Sequence, residues 1–277
     1  MTCWRLRLAA LGFSLIWIAA CSPTGARPGQ MEDHFHWREA STAAALGWVV
    51  FLPGAGGLSV LDDDQHYFRV AELLNKHGLD VLIVDYKPAY QSASNPPDGE
   101  GPERIAWVTE QAVDWMRRSH PRTVGRQGAL VGWSLGASGA TRIVNDPAAV
   151  IRLGLHGAVM FYPLAIDTTG LNNRVPLLIL TGDLDDVSPA GEIRRLVSER
   201  SAEWASVDLV VYPGAYHGFV VDSLKQRRTI RLLPLFGPSA TLQYDETAAR
   251  DATHRLIRFL VRARATNQTT VQAARIR

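Results

Sequence analysis

The chain reads as an α/β protein: a mostly parallel, doubly wound sheet with helices on both faces. Three observations predict it. Short apolar runs recur from residue 48 onward, most of them apolar throughout rather than alternating, as strands covered on both faces must be. Segments of helical period separate them, and that alternation implies parallel strands joined by right-handed crossovers. The glycine-rich and acidic stretches follow directly after these runs, and ligands in such sheets bind beyond the carboxyl ends of the strands.

The strand candidates in order are WVVFL (48–52), DVLIVD (80–85), GALVG (128–132), GAVMFY (157–162), PLLIL (176–180) and DLVVY (208–212). Among the helical segments, Ile105, Val108, Ala112, Trp115 and Met116 line one face. Ile193, Leu196 and Val197 line a second, and Ala248, Ala252, Leu256, Phe259 and Leu260 a third. A further amphipathic segment spans 137–145. Residues 225–238 are read as a loop excursion before the last helix, either capping a pocket or facing a membrane. The tail, 264–277, is expected to fray.

The N-terminus is of another kind. Arg5 and Arg7 precede 13 uncharged, mostly apolar residues from Leu8 to Ala20, the charged and apolar regions of a secretory leader too short for a comfortable membrane span. Ile18-Ala19-Ala20-Cys21 resembles the lipobox of bacterial lipoproteins. That resemblance implies cleavage after residue 20 and lipidation of Cys21. The serine at 22, in place of an aspartate, then implies the outer membrane, facing the periplasm. Residues 21–40 are read as a tether, rich in Pro and Gly over 22–30, and 41–263 as a single domain.

Removing Arg5 and Arg7 from the 29 basic residues leaves 27, equal to the 27 acidic ones. The mature chain therefore lacks the basic field that a nucleic-acid partner requires. Cys3 and Cys21 are the only cysteines, so the body has no disulfide, thiol nucleophile or thiolate metal ligand.

After the first strand comes LPGAGG, Leu52 to Gly57. Glycines there let the backbone approach a ligand, and free N–H groups in such a turn can hold an oxyanion. The Gly-Lys-Ser/Thr ending of a phosphate loop is absent. After GALVG comes Ser134, flanked by Gly132 and Gly136, the small neighbours that a strained strand-to-helix turn needs. A serine hydroxyl requires a base, and the base an orienting acid. TGDLDDVSPA offers Asp183, Asp185 and Asp186 at one strand end, and PGAYHGF offers His217 at the next. Ser…Asp…His, each after its own strand, is the order of the α/β-hydrolases. By position alone the three aspartates stand level.

From about Trp48 to Leu260 the chain resembles the dienelactone-hydrolase-like branch of the α/β-hydrolase fold. The family's acid stands in a Gly-x-x-Asp-x-x-x-Pro arrangement, which Gly182, Asp185 and Pro189 match, so the resemblance implies Asp185. YPGAYHGF is similar to the family's histidine loop, and YDETAARDATHRLIRFL to its closing helix. Dienelactone hydrolases proper use a cysteine where this chain has Ser134, which turns the expectation toward another ester or a lactone.

The expected activity is a serine hydrolase acting on a small acyl compound, with no cofactor and no metal. Ser134 attacks, His217 carries the proton and Asp185 orients it, while the N–H groups of Ala55 and Leu135 hold the oxyanion. Two other readings stay open: amide or peptide cleavage by the same triad, and a non-catalytic lipid-anchored binding protein. His34 and His36 have no partners at metal-ligand spacing. The run Asp62–Asp64 is read as helix-start chemistry, and His66, His77, His120, His156 and His254 as surface or packing residues. Trp133, Tyr86, Tyr90 and Tyr162 are candidates for either pocket or core.

Overall fold

Seven strands form one sheet in the computed structural model, which describes residues 30–42, 45–60, 62–164, 170–231 and 239–275. They are β1 (Phe35–Arg38), β2 (Gly47–Leu52), β3 (Leu79–Val84), β4 (Gly128–Trp133), β5 (Leu155–Phe161), β6 (Leu177–Gly182) and β7 (Val207–Tyr212). Their order across the sheet is β1-β3-β2-β4-β5-β6-β7. Every neighbouring pair is parallel except β1 with β3. The six expected strands are all present.

Alternate residues of each buried strand feed two cores. On one face Val50, Leu52, Leu130 and Met160 meet Ile105 and Val108 of α3 (Gly101–Ser119) and Ile143 of α4 (Leu135–Asn145). On the other, Val49, Phe51, Val131 and Phe161 meet Leu74 of α1 (His66–Lys76) and Ala252 and Leu256 of α7 (Glu246–Arg275). Two-sided burial is why these strands are apolar without alternation. The shorter helices α2 (Tyr86–Gln91), α5 (Pro147–Leu153) and α6 (Ala190–Glu199) complete the covering layers.

Three expectations are corrected. The leader, Cys21 and residues 22–29 lie outside the described residues, but the tether does not run to residue 40. Met31–His34 form a 3-10 turn and Phe35–Arg38 an edge strand, paired antiparallel with β3 from Phe35↔Val84 to Arg38↔Val81. The next residues are tied in as well: the Ala40 N–H donates to the buried Asp80 carboxylate at 2.8 Å, and Arg122 contacts its other oxygen at 3.2 Å. Burial raises the Asp80 pKa, against the pull of that bond and of Arg122.

The 225–238 excursion is not wholly a loop. It contains β8 (Arg228–Arg231), which pairs antiparallel with β9 (Ser239–Leu242), Ile230 opposite Ala240. Leu242 packs with Val221 and Leu224 in a small third core. Finally, α7 continues to Arg275, so the tail expected to fray from 264 is helical. Among the described residues no helix is long and apolar enough to cross a membrane.

Candidate active site

The carboxyl ends of β2, β4, β6 and β7 face one cavity of about 200 Å³. At the end of β4 the chain reverses through Ser134, whose φ of 51° and ψ of −119° form a conformation that only glycine takes without strain. Two close approaches make this turn possible. A Cβ at Gly132 would lie 2.5 Å from the Ala137 Cα, and one at Gly136 would run into the carbonyl oxygens of Leu52 and Pro53. The strained turn is braced by the Ser134 N–H, which donates to the Phe161 carbonyl at 2.9 Å. The hydroxyl stands at the N-terminus of α4, where the first N–H groups have no intrahelical acceptor.

Ser134, Asp185 and His217 come together. His217 Nε2 lies 3.1 Å from Ser134 Oγ, and its Nδ1 lies 2.8 Å from Asp185 Oδ2. A carboxylate only accepts, so Nδ1 carries the hydrogen and a neutral ring leaves Nε2 free to accept from the serine hydroxyl. All three residues are buried. The other Asp185 oxygen accepts from the N–H groups of Val187 (2.9 Å) and Ser188 (2.7 Å), which fixes the carboxylate plane.

The two neighbouring aspartates have other partners. Asp183 Oδ1 accepts from the Gly214 N–H at 2.6 Å and so holds the histidine loop. Asp186 accepts from the Thr241 N–H at 2.9 Å and ties β9 to the acid loop. Gly182 lies so close to the histidine loop that a Cβ there would strike the Ala215 carbonyl.

Ala55 and Leu135, the residues expected to supply oxyanion donors, both line the cavity, and Gly54 lies beside Ser134, where an added Cβ would stand 3.6 Å from the Ser134 Cβ. Of the four aromatic candidates, Trp133 and Tyr162 line the cavity. The Tyr162 ring sits 4.5 Å from that of His217, and burial holds its phenol well above the ordinary pKa of 10. Tyr86 reaches the Gly54 carbonyl instead (3.1 Å), and Tyr90 packs against Trp107.

The remaining wall is apolar. Val60, Leu164, Val221, Leu224, Ile230 and Leu242 supply much of it, and among the described lining residues His217 is the only ionisable one apart from tyrosines. Ile230 lies in the 225–238 excursion that the sequence offered as a pocket cap, whereas Ala240 and Leu242 escaped the sequence reading because β9 is only four residues long. Tyr67 escaped it too: its place in α1 reads as core, yet it lines the cavity and its oxygen accepts the Gly54 N–H at 2.9 Å.

Histidines and acids elsewhere are otherwise engaged. His34 bonds Ser92 and His36 packs on Phe68. Asp63, His66 and Asp222 bring ligand atoms within 4.8 Å of one another, but Arg69 already bridges the two carboxylates at 2.5 and 2.6 Å. Asp63 does serve the start of α1, accepting from the Gln65 N–H at 2.9 Å.

Comparison with known proteins agrees with this architecture. The model of the dienelactone hydrolase family matches residues 40–263. A dienelactone hydrolase from Anabaena variabilis is 17% identical with a TM-score of 0.56, over 81% of this chain and 88% of that one. Thermogutta terrifontis esterase 2, phosphoramylated by tabun, is 17% identical with a TM-score of 0.58, over 82% and 88%. An alpha-beta serine hydrolase homologue from Coxiella burnetii is 15% identical with a TM-score of 0.52, over 82% and 89%. No curated protein matches the sequence.

Proposed function

Since the chain belongs to the dienelactone hydrolase family, we propose that it is a serine hydrolase cleaving a carboxylic ester or lactone through an acyl-enzyme on Ser134. The observation that carries this reading is the chain of contacts from Ser134 Oγ through His217 to Asp185, at 3.1 and 2.8 Å. In the proposed reaction Oγ attacks the carbonyl carbon as His217 Nε2 takes its proton, and Asp185 stabilises the imidazolium. The tetrahedral oxyanion is held by the N–H groups of Leu135 and Ala55. His217 then returns the proton to the leaving alkoxide, and water repeats the cycle to release the acid. None of these steps uses a cofactor or a metal.

The wall chemistry supports a neutral, apolar acyl group. A cavity of about 200 Å³ without a lysine or arginine among its described lining residues offers an anionic acyl chain no compensation for its desolvation. The Thermogutta esterase is phosphoramylated by tabun, which suggests an organophosphorus probe. A fluorophosphonate should label the wild type and not Ser134→Ala, and neutral p-nitrophenyl butyrate or hexanoate should be cleaved with a loss of about 10³-fold or more in the variant. Turnover surviving in Ser134→Ala would overturn the proposal, and an unlabelled, inactive wild type would favour the binding-protein alternative.

The N-terminal reading is likewise a proposal: Cys21 carries lipid and holds the domain at the outer membrane, facing the periplasm. Nine residues separate Cys21 from Met31, where the 3-10 turn begins, a reach of at most about 36 Å when extended. Cys21→Ser should abolish lipid attachment, read by mass analysis of the N-terminus and by fractionation, with the intrinsic activity intact. A wild-type protein recovered soluble with an unmodified terminus would refute the anchor alone.

A further inference from the structure

Of the two oxyanion donors, one is secured by a helix and the other only by a glycine-rich turn, through the Gly57 N–H on the Gly54 carbonyl. The Leu135 N–H is held by the first turn of α4. The Ala55 N–H lies in Pro53-Gly54-Ala55-Gly56-Gly57, where glycines on both sides make rotation of a single peptide plane cheap. Rotated by half a turn, the Gly54–Ala55 peptide would present its carbonyl oxygen to Ser134 in place of its N–H. The site would then keep one donor and gain a repulsive acceptor.

Two bonds on the Gly54 carbonyl oppose that rotation: the Gly57 N–H donates to it at 3.0 Å within the turn, and the Tyr86 hydroxyl, from the first turn of α2, donates to it at 3.1 Å. The Lys87 ammonium steadies the following peptide through the Ala55 carbonyl. From α1, Tyr67 Oη accepts the Gly54 N–H at 2.9 Å. A trans peptide is planar with its C=O and N–H antiparallel, and there is no cis bond among the described residues. A carbonyl anchored on Tyr86, which packs in the core beside Val84, Ala89 and Leu52, therefore directs the Ala55 N–H the other way, toward the cavity that Ala55 lines. Burial raises the Tyr67 and Tyr86 phenols far above 10, so both stay protonated wherever His217 works.

We propose that Tyr86, with Lys87 beside it, is a positioning residue for catalysis: it holds the Gly54–Ala55 peptide in the one orientation that completes the oxyanion hole. This rests on the serine-hydrolase reading above, with Ala55 as an oxyanion donor. Tyr86→Phe removes one oxygen atom and leaves the ring packing in place.

The test pairs kinetics with a boronic acid carrying the same acyl chain as the substrate, since its Ser134 adduct bears a tetrahedral oxygen where the oxyanion forms. In Tyr86→Phe, kcat is expected to fall about 10- to 100-fold with KM nearly unchanged, and boronate affinity by a similar factor. Lys87→Met, an exposed change with no folding risk, should lose about threefold in both. A merely structural Tyr86 would lower the thermal midpoint and leave the ratio of boronate to substrate affinity as it was, which overturns the proposal. Unchanged kcat in Tyr86→Phe overturns it too, and if that variant does not fold, unchanged kcat and boronate affinity in Lys87→Met do so. Failure of the parent reading looks different: the wild type itself would form no boronate adduct at Ser134.

Discussion

Three aspartates within four positions (183, 185 and 186) present the sharpest contrast at the scale of single residues, because each has a different partner. Asp185 faces His217, Asp183 the Gly214 N–H and Asp186 the Thr241 N–H. Asp185→Asn is expected to lose about 10³-fold or more in kcat, since an amide cannot stabilise the imidazolium and selects the wrong tautomer. Asp183→Ala should keep most of kcat but lower stability by about 1 kcal/mol, the worth of an exposed hydrogen bond to a backbone N–H. Kinetics and thermal unfolding of the two variants separate these outcomes, and a dead but stable Asp183→Ala would shift the acid role by two positions.

His66 adds a pH prediction at the same scale. It is 3% exposed, and burial pushes its pKa down to about 4 from 6.5, despite the nearby Asp63 and Asp222. Between those values the unfolded chain binds the extra proton, so stability is whole above about pH 6.5 and declines as pH falls toward 4. The decline from this one group amounts to about 3 kcal/mol. Urea unfolding at pH 7 and pH 4.5 should show a smaller loss for His66→Gln than for the wild type; equal losses would refute the assignment.

Among the elements, the β8–β9 pair supplies part of the cavity wall. It is fastened through β9, by Asp186 to the Thr241 N–H and by an isolated parallel bridge between His217 and Leu242. Ile230 and Leu242 thereby become part of the apolar wall. Truncating a wall residue enlarges a cavity that a longer chain can fill. Ile230→Ala is therefore expected to raise kcat/KM for p-nitrophenyl octanoate relative to butyrate by about 3- to 10-fold. An unchanged ratio would mean that the acyl chain lies elsewhere.

At the scale of the whole molecule, β1 closes one edge of the sheet. A four-residue edge strand is a modest element, but without it β3 presents open N–H and C=O groups along Val81–Val84, a template for intermolecular pairing. A chain starting at residue 30 keeps this pairing and should therefore fold without aggregating. A chain starting at residue 41, which also loses the Ala40–Asp80 bond, should unfold at a markedly lower temperature and aggregate. Equal thermal midpoints would refute a structural role for this segment.

Local pattern by itself determined the sheet's six long strands and the serine and histidine of the site. A strand buried on both faces must be apolar throughout, and a nucleophile turn cannot form without Gly132 and Gly136, so both leave marks within a few adjacent residues. β1, β8 and β9 left no such mark: they are four residues long, none is buried throughout, and they exist only because a partner strand supplies their hydrogen bonds. The choice among Asp183, Asp185 and Asp186 rested on a family spacing, and only the tertiary structure gave it a geometric reason, because which carboxylate meets His217 depends on how two loops fold against each other. The contacts of Tyr67, Tyr86 and Lys87 with the backbone of Gly54 and Ala55 were equally out of reach. They join groups from three segments far apart in the chain, and the orientation of a peptide plane is set by contacts in space rather than by the order of residues.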